Sequence, residues 1–175
     1  MMTRASWLIL ALAVLAAAAG GWLQHASRER RGADLGGQPA PALQLPDLDG
    51  RTHTLADFTG RRVLVNFWAS WCGPCLKEMP ALAAAQARFG GDHPVVVGIA
   101  MDTPENVRAY LEAYPVNYPI LIGRLEDPDS ARQLGDHASV LPYSVLLDAD
   151  GTVLASHAGV LDAATLERWL GKPNP

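Results

Sequence analysis

Residues 63–75 constrain the fold of this chain more than any other stretch. Val63-Leu64-Val65-Asn66-Phe67-Trp68 is a short apolar run suited to a buried central strand. Trp71-Cys72-Gly73-Pro74-Cys75 follows almost at once and holds the only two cysteines of the 175 residues. If a helix begins at the first cysteine, the two thiols are i and i+3 neighbours on one face. Their Cα atoms then lie about 5–6 Å apart, inside the window that a disulfide tolerates. Cys72 would stand at the helix N-terminus, where unpaired N–H groups and the macrodipole favour a thiolate. That placement lowers a cysteine pKa from about 8.5 toward about 7 or below, and the thiolate is the attacking species. Pro74 fits the first helical turn, where its missing N–H costs little. The motif therefore reads as a redox pair, with Cys72 partly exposed as nucleophile and Cys75 buried as resolving thiol.

Other uses of two cysteines fit less well. A zinc site needs two further ligands, and His25, His53, His93, His137 and His157 are scattered without metal-ligand spacing. A structural disulfide closing so short a loop would gain little chain entropy. No bound metal or cofactor is expected, because a dithiol carries both electrons itself.

Residues Trp7 to Leu23 are uncharged and almost wholly apolar, preceded only by Arg4 as a positive charge. At 1.5 Å per residue the run spans about 25 Å, just short of a hydrocarbon core. Residues 1–23 are thus either a cleaved signal peptide, with Ala17-Ala18-Ala19-Gly20 near a cleavage site, or a retained anchor bracketed by Trp7 and Trp22. Either sends the rest of the chain out of the cytoplasm. All 18 acidic residues and all but one of the 14 basic ones follow this run. A negative exported part argues against nucleic acid or an anionic membrane surface as partner.

Residues 24–38 are polar, basic and glycine-punctuated, which reads as a linker. Residues 39–172 suit one compact domain. Within it, 42–46 and 52–55 flank a turn and predict a hairpin. A strand over 62–68, a helix over 72–89 that Pro80 should kink, and a second buried strand over 95–101 come next. Thr103 caps a helix to about Tyr114, followed by a short extended piece at 118–121 and a helical segment at 129–134. Strands at 143–147 and 152–158 flank Asp148-Ala149-Asp150-Gly151, and Asp162 caps a last amphipathic helix. Strand and helix alternating, then a terminal hairpin and helix, indicate an α/β fold with a mixed sheet.

Val65-Asn66-Phe67-Trp68-Ala69-Ser70-Trp71-Cys72-Gly73-Pro74-Cys75 resembles the active-site strand and helix of thioredoxin-fold proteins. The surrounding chain is similar to the membrane-anchored TlpA/ResA/CcmG-like branch. The likeness rests on Leu55-Ala56-Asp57-Phe58, Lys77-Glu78-Met79-Pro80, Val116-Asn117-Tyr118-Pro119 and Leu141-Pro142-Tyr143-Ser144-Val145-Leu146-Leu147-Asp148. It covers about Gln38 to Leu170 and implies a thioredoxin fold: a mixed central sheet flanked by helices, with an N-terminal β-hairpin and an inserted helix. It further implies a monomeric thiol-disulfide oxidoreductase on the periplasmic side of the bacterial inner membrane, anchored or released after signal cleavage. Its expected substrates are disulfides of exported proteins in cytochrome c maturation or metal-site assembly, and its expected electron donor is a transmembrane thiol protein.

The resemblance also assigns roles. Pro142 matches the cis-proline that faces the dithiol, against a base rate of about 5–6% cis among X–Pro bonds. Trp71 is expected to cover the disulfide, and Trp68 to lie in the core. Asn66 stands where cytosolic thioredoxins carry a buried aspartate, so the proton of Cys75 needs another acceptor. The family pattern offers Asp102, with Glu105 as second choice; a partly buried Asp102 should then have a raised pKa and act as base. The competing reading of Asp102 is a loop or capping carboxylate. Two alternative functions remain: a disulfide-forming oxidant using the same residues, and a Cu(I)-binding module recruiting His137.

Overall fold

The computed structural model describes residues 35–91, 93 and 95–171, so the apolar run at 7–23 and most of the linker lie outside the described residues. Seven strands and four α-helices make up this part: β1 Gln44–Pro46, β2 Thr52–Thr54, β3 Val63–Trp68, α1 Gly73–Phe89, β4 Val96–Ala100 and α2 Pro104–Ala113. They continue as β5 Ile120–Ile122, α3 Ser130–Gln133, β6 Tyr143–Leu147, β7 Val153–Ala158 and α4 Ala163–Leu170. A 3-10 turn over Leu55–Phe58 follows β2.

Five strands form the central sheet in the order β5-β4-β3-β6-β7. The β3, β4 and β5 strands run parallel, as their helical crossovers require, while β6 and β7 are antiparallel additions. This is the mixed sheet the sequence indicates. The hairpin β1–β2 stands as its own two-stranded sheet and touches the edge of β5 through the Asp47–Leu121 bridge.

Every residue of β3, β4 and β6 is buried, which explains why these strands read as continuous apolar runs. The sheet separates two cores. Leu64, Trp68, Leu146 and Ile120 face α1, α2 and α4, while Val65, Phe67, Val145 and Leu121 face the hairpin and α3. Fully burying each such aliphatic side chain contributes about 1.5–3 kcal/mol. Two polar residues interrupt the first face at the middle of the sheet, Asn66 and Ser144, both almost inaccessible to solvent.

The boundaries depart from expectation only locally. Thr103 and Asp162 cap α2 and α4 through side-chain acceptance from the N–H groups of Asn106 and Thr165. Pro80 lies inside α1, which extends as one element to Phe89. The last hairpin turns on Gly151, whose φ of 86° is one that L side chains rarely adopt.

Candidate active site

Chain direction places the dithiol. Strand β3 ends at Trp68, and Ala69 to Trp71 turn the chain into α1, with the Cys72 N–H donating to the Ala69 carbonyl (3.1 Å). Cys72 is the N-cap of α1, in extended conformation, and its Sγ accepts from the Cys75 N–H at 3.3 Å. The sulfur thus takes the place that a serine or aspartate oxygen usually fills at a helix start, the environment that favours a thiolate. Cys72 and Cys75 are joined in a disulfide with Cα atoms 5.3 Å apart. In this oxidised state Cys72 is only 5% exposed and Cys75 1%, so the expected difference in exposure has nearly closed. Trp71, expected to cover the pair, is 70% exposed and leaves most of its indole in solvent.

The Leu141–Pro142 peptide bond is cis, and so is Asp127–Pro128. Phe67 pairs with Tyr143 across β3 and β6, so the register carries Pro142 to the level of Trp68, at the end of β3 where the dithiol loop departs. The Pro142 carbonyl accepts from the Gly159 N–H at 2.8 Å, which ties the loop before β6 to the one after β7. The Leu141 carbonyl has no partner among the described residues. Val140 and Val160 are exposed in these two loops, as Trp71 is in the first.

Asp102 behaves otherwise than expected. It is 6% exposed at the end of β4, and both carboxylate oxygens are engaged. Oδ2 accepts from the Ser70 N–H (3.0 Å) and the Ser70 hydroxyl (2.5 Å). Oδ1 accepts from the Thr103 N–H (2.7 Å) and the Asn106 amide (2.9 Å). Burial by itself would push its pKa up, but the hydrogen bonds from Ser70, Asn106 and Thr103 together outweigh it and hold the carboxyl below its usual range. The expected rise is therefore replaced by a fall. Asp102 is an ionised strut between the dithiol turn and the start of α2, the capping role that the sequence left open. Glu105, the second choice, lies exposed in the first turn of α2.

The residue missed by sequence reasoning is Glu78. It sits one turn beyond Cys75 on α1 and is 2% exposed. Its Oε1 accepts from the Leu161 N–H (2.6 Å) and its Oε2 from the Asn66 amide (3.3 Å), which also donates to the Ser144 hydroxyl oxygen (3.0 Å). Burial pushes its pKa up; the bonds from Leu161 and Asn66 and the charge of His157 offset this only in part. A buried carboxyl whose pKa is raised, one helical turn beyond Cys75, is a group of the kind that can accept a proton. The available signal was its spacing: Glu78 follows Cys75 by three, so a helix that buries one buries the other. His137, the copper candidate, is exposed in the turn after α3. Among the described residues no group of three His, Cys, Asp or Glu side chains is placed to hold one ion.

The sequence pattern of the AhpC/TSA family matches residues 36–160. The chain is 30% identical over 171 residues to the thioredoxin-like protein YneN of Bacillus subtilis, covering 94% of this chain and 96% of that one. It is also 30% identical over 140 residues to the thiol-disulfide oxidoreductase ResA of Geobacillus thermodenitrificans, covering 79% and 78%. Among solved structures, one described as the thiol:disulfide interchange protein DsbE of Chlorobium tepidum is similar with a TM-score of 0.68 and 31% identity, over 77% of this chain and 94% of that one.

Proposed function

Because the chain belongs to the thioredoxin-like AhpC/TSA family and is a thiol-disulfide oxidoreductase, we propose that it reduces disulfides of exported partner proteins. The observation that carries this reading is the Cys72–Cys75 disulfide at the N-cap of α1, beside a buried carboxyl at Glu78. Exposed Trp71, Val140 and Val160, with the Leu141 carbonyl that has no partner among the described residues, suit an extended polypeptide as substrate.

In the reduced protein the Cys72 thiolate attacks one sulfur of the partner's disulfide. A mixed disulfide forms and the partner's other sulfur leaves as a thiolate. Glu78 then takes the proton of Cys75, whose thiolate attacks Cys72 Sγ. The intramolecular disulfide closes and the partner leaves with both sulfurs reduced. Two electrons have passed from Cys72 and Cys75 to the partner, and a thiol donor must return them. Asn66 cannot accept this proton in the strand, so the carboxyl on the helix supplies what the strand lacks.

The apolar run at 7–23 supports export, and the Gly-Pro dipeptide between the cysteines supports the reducing direction. Clients in cytochrome c maturation or metal-site assembly and a transmembrane electron donor complete the reading. Equilibrating the full chain with glutathione redox buffers tests direction: a reductant lies toward about −270 mV, and a potential near about −120 mV would instead identify an oxidant. Cys75→Ser should accumulate mixed disulfides through Cys72 with exported proteins; none forming would overturn the reading.

A further inference from the structure

The face of the sheet under α1 is apolar except for one transverse row. Asn66 on β3 pairs in register with Ser144 on β6, and Ser144 pairs with His157 on β7. Directly paired residues share a face, so the three side chains stand side by side across three strands, beneath Glu78. The inner end is bonded: the Asn66 amide donates one hydrogen to Glu78 Oε2 and the other to Ser144 Oγ. The outer end is open, because β7 is an edge strand and His157 is exposed. The same corner is closed from above by the turn into α4, where the Leu161 N–H donates to Glu78 Oε1 and Asp162 follows. An imidazole is the side chain whose unperturbed charge changes between pH 5 and 8.

We propose that His157 is a positioning residue for the resolving step: at the solvent end of the Asn66–Ser144 row its imidazolium holds Glu78 as a carboxylate, keeping the proton acceptor of Cys75 working as the surroundings acidify. The proposal rests on the reading that Glu78 takes that proton. The amide of Asn66 donates at both contacts and does not pass protons along, so the coupling is electrostatic: His157 changes the charge that Glu78 sees. His157 lies within Coulombic range of Glu78 on α1 and of Asp162 at the cap of α4. Asp162 itself stays ionised, held low chiefly by the Thr165 N–H, with Arg168 also nearby. Tyr118 also lies within range of Glu78, but burial pushes its phenol up and it stays neutral throughout. No titratable group of β3 or β6 stands in the row. An enzyme exported beyond the buffered cytoplasm would keep resolving mixed disulfides at a pH where an isolated buried carboxyl had already been protonated.

The test follows the resolving step alone. Thionitrobenzoate is attached to Cys72 of the full chain, and its release by Cys75 is timed from acid to neutral pH. His157→Gln should move the acid limb of the profile to higher pH, slowing release about threefold at its acid end, as removal of one charge near a partly shielded carboxyl predicts. His157→Lys, permanently charged, should restore the wild-type limb or carry it to lower pH. In a Glu78→Gln background neither substitution should matter. If both His157 variants track the wild type, or both move the same way, the proposal is overturned. If Glu78→Gln leaves the wild-type limb intact, the assignment of Glu78 itself fails, which separates the two outcomes.

Discussion

At the scale of single residues, two acids beside one dithiol have opposite fates. Asp102 and Glu78 are both buried, yet hydrogen bonds to both Asp102 oxygens hold its pKa down, whereas desolvation pushes that of Glu78 up. A carboxyl with a depressed folded pKa stabilises the fold above its unfolded pKa, and that contribution is lost as pH falls through the folded value. Asp102→Asn should therefore destabilise the domain by about 2 kcal/mol at neutral pH, the scale of hydrogen bonds to a charged group. Chemical denaturation of the two proteins measures this. The thionitrobenzoate release rate should change less than about threefold, because both Asp102 oxygens are engaged in holding the turn. Trp71 presents the reverse case. With 70% of its surface in solvent, Trp71→Ala should leave stability within about 0.5 kcal/mol. Reduction of a protein disulfide should nonetheless slow about tenfold in kcat/KM, while a small disulfide is reduced almost as fast, since an exposed aromatic acts by docking.

Elements set the order in which the thiols react. Helix α1 begins immediately after Cys72, so the partial positive charge of its N-terminus falls on that sulfur, while Cys75 sits within the first turn against the core. Iodoacetamide labelling of the reduced protein near neutral pH, read by mass spectrometry, should modify Cys72 at least about tenfold faster than Cys75. Comparable rates would remove the nucleophile assignment. The strand and helix that carry this motif were legible because their signals are local: a six-residue apolar run, a proline suited to a first turn, and thiols at helical spacing. The start of β5 was less legible. Tyr118 is buried ahead of the strand, and its side chain reads as strand-like whether or not its backbone joins the ladder.

The whole molecule decides how pH acts on stability. Glu78 is enclosed by β3, by α1 and by the turn into α4, and its folded pKa lies above its unfolded value. For an acid raised in this way the cost of folding is absent below the unfolded pKa, grows as pH rises through the folded one, and is then fully present. Glu78→Gln should consequently stabilise the fold at pH 8, on the order of 1 kcal/mol, because no charge is then buried. At acid pH the gain should vanish or reverse, since Gln cannot accept from Leu161 and Asn66 together as freely as a carboxyl does. Thermal melts across this range measure the difference, and a gain independent of pH would contradict the assignment.

The chemistry, the dithiol and the alternation that becomes a mixed sheet lay open in the sequence, because a redox pair, apolar strands and helix caps are written in residues close together in the chain. The choice of acid was not. The family pattern offers Asp102 as base, and only folding revealed Ser70 and Asn106 saturating its oxygens. Glu78 enters only as part of Lys77-Glu78-Met79-Pro80, with no role. Its partners come from Asn66, 12 positions earlier, and Leu161, 83 positions later, and the His157 charge reaches it across β6 and β7. Burial and long-range hydrogen bonding set a carboxyl's proton affinity, and those are properties of the assembled sheet and helices.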